Sequence, residues 1–325
     1  MSLLRQFLVL GLFVLAACVA IAQSPAPAEL AFRTEIHPLA SQTLSDAQFL
    51  TGEAGQPVTV AGVLRIAQGT GRLPVVVLLH GSGGMAGNVD AWSNDFLRAG
   101  VSTFAIDGFT GRGIVQTNTD QTQLGRLNLV LDAYRALILL TKHPRVDPSR
   151  IVLMGFSRGG QATLYASLAR FHRLWNNTEA KFAAYIPFYP DCATSYIDDT
   201  DLVDKPVHVF GGTPDDYNPI ALCKAFIQRA TAAGHAIALT EYPDAQHAFD
   251  NPLLPQQAIV AKAAQSVRKC RIQERAVGEL INAETKQSFS YKDPCVELNP
   301  HVGFDPQASA AAHVEVKALV MALPR

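Results

Sequence analysis

The chain has 325 residues, of which 48% are hydrophobic, and its formal net charge is −1. This length and apolar content are enough for one large domain with a substantial core. The near-zero charge, together with the lack of Lys/Arg runs longer than two residues, excludes the basic footprint of a nucleic-acid-binding protein.

Residues 1–22 have the pattern of a signal peptide. Arg5 supplies the positive charge, residues 7–17 are apolar but too short to span a bilayer, and a cleavage site of small residues ends at Ala22. A lipobox-like sequence ending at Cys18 is the alternative, in which that cysteine would carry a lipid anchor. The pattern favours simple export, and it predicts no transmembrane span in the mature protein.

The remaining chain divides into an extended segment, residues 23–40, and one α/β domain, residues 41–325. Strand-like and helix-like patterns alternate from Val58 to about Ala248, which predicts a mostly parallel central sheet flanked by helices. Residues 251–300 are predicted to form a partly helical insertion because of their Ala, Gln, Arg and Glu content. The insertion is either a lid over a pocket or a peripheral addition.

A glycine-rich loop follows the first clear strand. The run Leu73–Leu79 is unbroken and apolar, as in a strand buried on both faces, and it ends in HGSGG. Glycines in such a loop let backbone N–H groups turn toward a ligand, and one of them forms half of the oxyanion hole in serine hydrolases. We assign this donor to the N–H of Ser82 and the second donor to the N–H of Arg158. The alternative is an ordinary glycine turn.

Arg112 lies in a further loop, with the sequence FTGRG, that can reach the same edge of the sheet. Its guanidinium could hold a substrate carboxylate through two parallel hydrogen bonds. It could equally pin its own loop by bonding to backbone carbonyls.

The sequence GFSRG, residues 155–159, is the strongest functional signal. It follows an apolar run and leads into a helix-like segment, and this strand–serine–helix context is that of a nucleophile elbow. The glycines are needed because side chains flanking the serine would collide in so tight a turn. In the alternative interpretation, Ser157 simply caps the helix.

A serine nucleophile needs a carboxylate and a general base. Asp215 and Asp216 follow a later strand-like run, and we choose Asp215 because it comes first after the turn, with Asp216 as the alternative. His247 lies in the loop after the next strand, whereas His80 comes too early in the chain for the base and is expected to support its own loop. The remaining candidates lie within or before helices and strands or near the C-terminal helix: His172, His208, His235, His301 and His313. The order Ser, Asp, His is the one this architecture uses.

Four cysteines remain outside the leader, an even number that fits an oxidising compartment. Three pairings are possible, and the sequence order favours Cys192 with Cys223 and Cys270 with Cys295.

These motifs together resemble the dienelactone hydrolase family of α/β-hydrolases. The similarity rests on HGSGG, DGFTGRG, GFSRGG, GGTPDDYNP and YPDAQHAFD, spans roughly residues 59–249 and resumes near residues 303–306. It implies an α/β-hydrolase fold with Ser157 as nucleophile, Asp215 as acid and His247 as base. The namesake enzymes use a cysteine on an enol-lactone, so the serine here implies a carboxylic-ester hydrolase rather than that particular substrate.

We therefore predict an exported serine hydrolase, periplasmic or secreted, that cleaves small-molecule esters or lactones through an acyl-enzyme on Ser157. No cofactor, metal or nucleic acid is expected to take part. The alternatives are a serine peptidase or acyltransferase of the same fold, and a non-catalytic envelope-binding protein. The complete Ser, Asp and His set disfavours the last of these.

Overall fold

The structure is a computed structural model that describes residues 31–324. The predicted signal peptide, the candidate lipid anchor at Cys18 and the first part of the 23–40 segment lie outside the described residues. Among the helices of residues 31–324, none is both long and apolar enough to cross a membrane.

Strands and helices alternate along most of the chain. The strands are β1 (Ala31–Thr43), β2 (Gln56–Ala67), β3 (Leu73–Leu79), β4 (Ser102–Asp107), β5 (Val146–Phe156), β6 (Ala184–Phe188), β7 (Thr194–Ser195), β8 (Val207–Gly212), β9 (Ile237–Tyr242), β10 (Ile259–Val260), β11 (Gln265–Ser266), β12 (Ile272–Ala276), β13 (Glu279–Asn282), β14 (Glu297–Leu298) and β15 (His301–Val302). The helices are α1 (Asp46–Thr51), α2 (Gly87–Arg98), α3 (Asn128–Leu140), α4 (Arg158–Tyr165), α5 (Ala169–Trp175), α6 (Ile220–Ala232) and α7 (Pro306–Met321).

Eight of these strands form one sheet in the order β1-β2-β4-β3-β5-β6-β8-β9. β2 runs antiparallel to both β1 and β4, and the other neighbours are parallel. Helices α1, α3, α4, α5 and α6 contribute to the core on one face, and α2 and α7 contribute to the core on the other. The predicted α/β-hydrolase fold, with a mostly parallel sheet between helices, is confirmed.

Strand β3 shows why an unbroken apolar run was required. Val75, Val77 and Leu79 pack into one core, while Val76 and Leu78 pack into the core on the opposite face. Because successive side chains of a strand point to opposite faces, a central strand covered on both sides has no polar positions. Its carboxyl end therefore delivers the glycine loop to the middle of the sheet edge.

The predicted domain boundary at residue 41 is wrong. Residues 31–40 are extended, as expected, but they belong to β1, which pairs with β2 from Ala31 opposite Ala67 to Thr43 opposite Gln56. The antiparallel pairing satisfies the backbone groups of β1 that face β2 along nearly its whole length. The domain therefore includes the residues from Ala31 onward.

The insertion is also different from its prediction, because residues 251–300 contain turns and short strands and no helix. β12 forms a hairpin with β13 and a parallel pair with β7. Along β12, the buried Ile272 and Glu274 alternate with the exposed Gln273 and Arg275, which is the period of a strand. Helix propensity is a weak prior, and here cross-strand pairing overrides it.

Both predicted disulfides are formed, Cys192 with Cys223 and Cys270 with Cys295. The first joins the segment after β6 to α6, and the second closes the insertion on itself. A buried ion pair attaches the insertion to the core, since Glu274 Oε1 and Oε2 lie 2.8 and 2.6 Å from the guanidinium of Arg170 on α5.

Candidate active site

Ser157 lies at a sharp turn between β5 and α4, with φ 53° and ψ −112°. Positive φ is unfavourable for a residue with a Cβ, and such strain is held only where the surroundings impose it. A Cβ on Gly155 would lie 2.2 Å from the carbonyl oxygen of Gly159, and one on Gly159 would lie 2.2 Å from that of Leu79. The two glycines are therefore steric requirements of this turn.

The Ser157 side chain makes no capping hydrogen bond to α4. Its Oγ lies 2.9 Å from Nε2 of His247, and Nδ1 of His247 lies 2.8 Å from Oδ2 of Asp215. A carboxylate only accepts, so Nδ1 carries the proton and Nε2 is left to accept from the serine hydroxyl. The three side chains thus form one directed hydrogen-bonded chain.

Asp215 is oriented by the backbone that follows it. Its Oδ1 accepts from the N–H groups of Tyr217 and Asn218 at 2.8 and 2.9 Å, which leaves Oδ2 for His247. Asp216 faces away from the histidine and pairs with Arg268 at 2.8 Å and His301 at 3.0 Å. The geometry therefore favours Asp215 over the alternative, Asp216.

Two tyrosines flank the imidazole. The ring of Tyr189 lies 4.7 Å from that of His247, edge to face, and the ring of Tyr217 lies 4.5 Å from it. The hydroxyl of Tyr189 donates to Asp250 Oδ1 at 2.6 Å, and Trp92 Nε1 donates to Asp250 Oδ2 at 2.7 Å. Burial raises the pKa of Asp250, although these two donors oppose the shift.

Sequence reasoning did not single out Tyr189, Tyr217 or Asp250. Tyr189 directly follows the β6 strand and Tyr217 comes two residues after Asp215, so both positions lie at the carboxyl edge of the sheet. Because active-site residues of open α/β sheets lie at this edge, their positions in the sequence could have identified both tyrosines as candidates. Asp250 is the last residue of the HAFD motif, but its partner Trp92 is on α2 and could not be paired with it from sequence.

Ser157 and His247 open onto a cavity of about 380 Å³. The glycine loop forms one wall, and the insertion contributes Ala261, Lys262 and Ala264 to another. The insertion therefore forms part of the pocket, so it is not merely a peripheral addition.

The two candidate oxyanion donors adjoin the serine. Ser82 lines the same cavity as Ser157, and Arg158 is the first residue of α4, directly after the elbow. The Arg158 side chain points elsewhere: it is buried and donates to Gln121 Oε1 at 2.5 Å, to Gly125 O at 3.1 Å and to Leu124 O. Its burial lowers the pKa of the guanidinium. Any contribution of Arg158 to the pocket thus comes from its backbone.

His80 supports the glycine loop, as its early position in the chain suggests. Its Nδ1–H donates to Gly81 O at 2.7 Å, and its Nε2 accepts from the N–H of Gly108 at 3.1 Å. These partners fix the neutral tautomer, and burial lowers the pKa of the ring.

The predicted substrate contact of Arg112 is wrong, because its guanidinium is already occupied. Nη1 and Nη2 donate to Asp132 at 2.7 and 2.9 Å, and they also donate to the carbonyls of Gly108 and Gln42. Nε donates to Thr43. All five N–H groups have a partner, and the side chain is 2% exposed. The alternative, an arginine that pins its own loop, is correct.

The sequence model of the dienelactone hydrolase family matches residues 60–273. No curated protein matches the chain significantly. A solved structure designated m3DLH superposes with a TM-score of 0.57 at 16% identity, covering 90% of this chain and 99% of its own.

Two further structures are similar. A dienelactone hydrolase-like promiscuous phosphotriesterase from metagenomic libraries has a TM-score of 0.56 at 16% identity, with coverage of 89% and 98%. A thermophilic esterase from Thermogutta terrifontis has a TM-score of 0.47 at 19% identity, with coverage of 59% and 79%. At 16% identity, the similarity to m3DLH and to the phosphotriesterase shows a shared fold.

Proposed function

The chain belongs to the dienelactone hydrolase family, and from that premise we propose that it hydrolyses carboxylic esters through an acyl-enzyme on Ser157. The observation that carries this proposal is the hydrogen-bonded chain from Ser157 through His247 to Asp215, at the base of an open cavity.

In the first half-reaction, Ser157 Oγ attacks the ester carbonyl carbon while its proton passes to Nε2 of His247. Asp215 accepts the Nδ1–H bond of the resulting imidazolium and stabilises its charge. The carbonyl oxygen becomes an oxyanion, which the backbone N–H groups of Ser82 and Arg158 would stabilise.

Collapse of the tetrahedral intermediate breaks the bond to the alcohol oxygen, which takes its proton from Nε2 of His247. In the second half-reaction, water gives a proton to the same nitrogen and attacks the acyl-enzyme. Collapse of this second intermediate breaks the bond between the acyl carbon and Ser157 Oγ, which takes a proton back from Nε2, so the products are a free acid and the regenerated Ser157 hydroxyl. A serine requires this base because its hydroxyl, unlike a thiol, is a weak nucleophile at neutral pH.

The proposed enzyme acts outside the cytoplasm. Two disulfides support this location, because reducing compartments rarely maintain such bonds. The signal peptide remains a prediction from sequence, as does the lipid anchor at Cys18. Mass spectrometry of protein purified from the envelope would test both. An N-terminus at Gln23 supports simple export, and a lipid-modified N-terminus at Cys18 supports anchoring.

A fluorophosphonate probe followed by peptide mapping tests the mechanism. We expect the probe to label Ser157 in the wild type and to label His247→Ala far more slowly. Ser157→Ala should keep its fold and lose both labelling and hydrolysis of p-nitrophenyl acetate. Wild-type rates in Ser157→Ala would overturn the proposal.

A further inference from the structure

Exposed apolar side chains lie on the segments that form the Ser157 cavity. Within residues 31–324, the large hydrophobic side chains that are exposed include Met85 at 43%, Val115 at 86%, Leu253 at 78% and Ile259 at 43%. We call these four residues the apolar rim. Single exposed hydrophobic residues are ordinary, but a group around one opening indicates an interaction surface.

Met85 and Val115 form one side of the rim. Met85 lies between Gly84 and Ala86, and Val115 precedes Gln116, and these three neighbours all line the cavity. The two loops are in contact, because a Cβ on Gly84 would lie 3.2 Å from the carbonyl oxygen of Val115.

Leu253 lies on the loop after His247. It directly precedes Leu254, which lines the cavity, and its side chain packs against Gly87, where an added Cβ would lie 2.5 Å from Leu253 Cγ. Leu253 thereby stands beside the loop that carries Met85.

Ile259 completes the rim from the insertion. It lies in β10 opposite Val302 of β15, so its side chain shares a face of this pair with Val302 and with Ala261, and both of these residues line the cavity. Three separate chain segments, the loop of Met85, the loop of Val115 and the 251–300 insertion, therefore bring apolar side chains close to one opening.

Within the part of the chain that the structure describes, the cavity lining carries no negatively charged side chain, so it is compatible with contact to an apolar surface. The residues that line the cavity include no Asp or Glu, and their one ammonium group, that of Lys262, is exposed and forms no salt bridge within residues 31–324. No carboxylate of the cavity wall would have to lose its water when an apolar surface covers the mouth.

We propose that the apolar rim seats the enzyme on the surface of an aggregated, sparingly soluble ester, such as an emulsion droplet. A substrate molecule then enters the cavity directly from the aggregate, and burial of the rim side chains drives the adsorption. The occupant is the substrate itself because the rim residues adjoin residues that line the Ser157 cavity. This inference rests on the proposed function, since it names the physical state of that enzyme's substrate.

The test compares dissolved and emulsified tributyrin, measured by acid release. For the wild type, the rate should rise again once the substrate exceeds its solubility. The double variant Val115→Glu/Leu253→Glu should lose about tenfold or more of the emulsion rate, because two charges must then approach an apolar surface. Its rate on dissolved tributyrin should stay within about twofold, because neither side chain lines the cavity.

Val314→Glu and Val277→Glu are matched controls, since both valines are exposed, at 67% and 60%, and lie on α7 and on the β12–β13 turn. They should change neither rate. An equal fall in the emulsion rate in these controls, or an equal fall in both rates of the rim variant, would overturn the inference.

Adsorption to triolein droplets, measured as depletion of Ser157→Ala from the aqueous phase, separates this inference from the proposed function. This catalytically disabled protein should still adsorb, and the rim substitutions should abolish its adsorption. Adsorption without any wild-type hydrolysis would contradict the proposed function alone. Hydrolysis of dissolved tributyrin without adsorption would contradict the inference alone.

Discussion

Nδ1 of His247 lies 2.8 Å from Oδ2 of Asp215, and the two side chains are 3% and 1% exposed. The next residue, Asp216, is turned toward Arg268 and His301 and has a side chain that is 38% exposed. One peptide bond therefore separates a carboxylate that can orient the imidazole from one that cannot. The pair offers a matched comparison.

Asp215→Asn should lower kcat/KM for p-nitrophenyl acetate by about 10⁴-fold, because an amide at this position favours the wrong histidine tautomer. Asp216→Asn should lower it by less than about threefold, since only partly exposed ion pairs are lost. Initial rates of the two variants at one pH provide the measurement. Equal losses would contradict the assignment of Asp215.

The glycines of the elbow should be irreplaceable for steric reasons. Gly159→Ala should lower the free energy of unfolding by about 3 kcal/mol or more, or prevent folding, because its Cβ would meet the backbone oxygen of Leu79 at 2.2 Å. Gly234→Ala is the control, since its position has φ +93° but no atom within 4 Å of the added Cβ. The Gly234→Ala substitution should lower the free energy of unfolding by about 1 kcal/mol. Urea denaturation of both variants measures the difference.

Arg112→Ala should destabilise the protein by about 3–5 kcal/mol, because it leaves Asp132 buried without its cation. Arg65→Ala, which removes a largely exposed pair with Asp90, should cost less than about 1 kcal/mol. Chemical denaturation gives both values. In the Arg112 variant, KM should change by the same factor for neutral and anionic esters, and a selective increase for the anionic ester would restore the substrate-binding role.

His80 should make stability depend on pH. Burial lowers the pKa of this ring in the folded state, so its contribution is fully present above the unfolded pKa, about 6.5, and is lost as pH falls below it. Burial removes water from the charged ring, and a proton on Nε2 would also face the N–H of Gly108. Between the unfolded pKa and the lower folded pKa, this residue should add a slope to the free energy of unfolding that approaches about 1.4 kcal/mol per pH unit.

His80→Gln should remove that slope while lowering stability at pH 7.5. Urea denaturation at pH 7.5, 6.5 and 5.5 checks the prediction for the wild type and the variant. An identical slope in both proteins would show that His80 does not hold a neutral ring in the folded state.

Much of the site could be predicted because its signals are local. The G-x-S-x-G turn needs glycines within two residues of the serine, and the buried strand before HGSGG is read from seven consecutive apolar residues. Since parallel strands end at one edge of a sheet, the loops after β3, β5, β8 and β9 had to converge there. The four cysteines also paired as their order suggested.

The incorrect predictions concern residues whose partners lie far away along the chain. The guanidinium of Arg112 donates hydrogen bonds to Asp132 of α3 and to the carbonyl of Gln42. Nothing in the sequence indicates that these groups lie close together. The insertion has a helix-like composition, yet its β12 strand pairs with β7, which lies more than 70 residues earlier.

By itself, therefore, the sequence determined the fold class, the serine elbow and the histidine, because sterics and hydrophobic periodicity act between neighbouring residues. Tertiary structure alone decided which aspartate meets His247, where Arg112 points and how three segments bring an apolar rim to one opening. Those outcomes depend on which distant surfaces pack together, and packing free energy is a property of the whole chain.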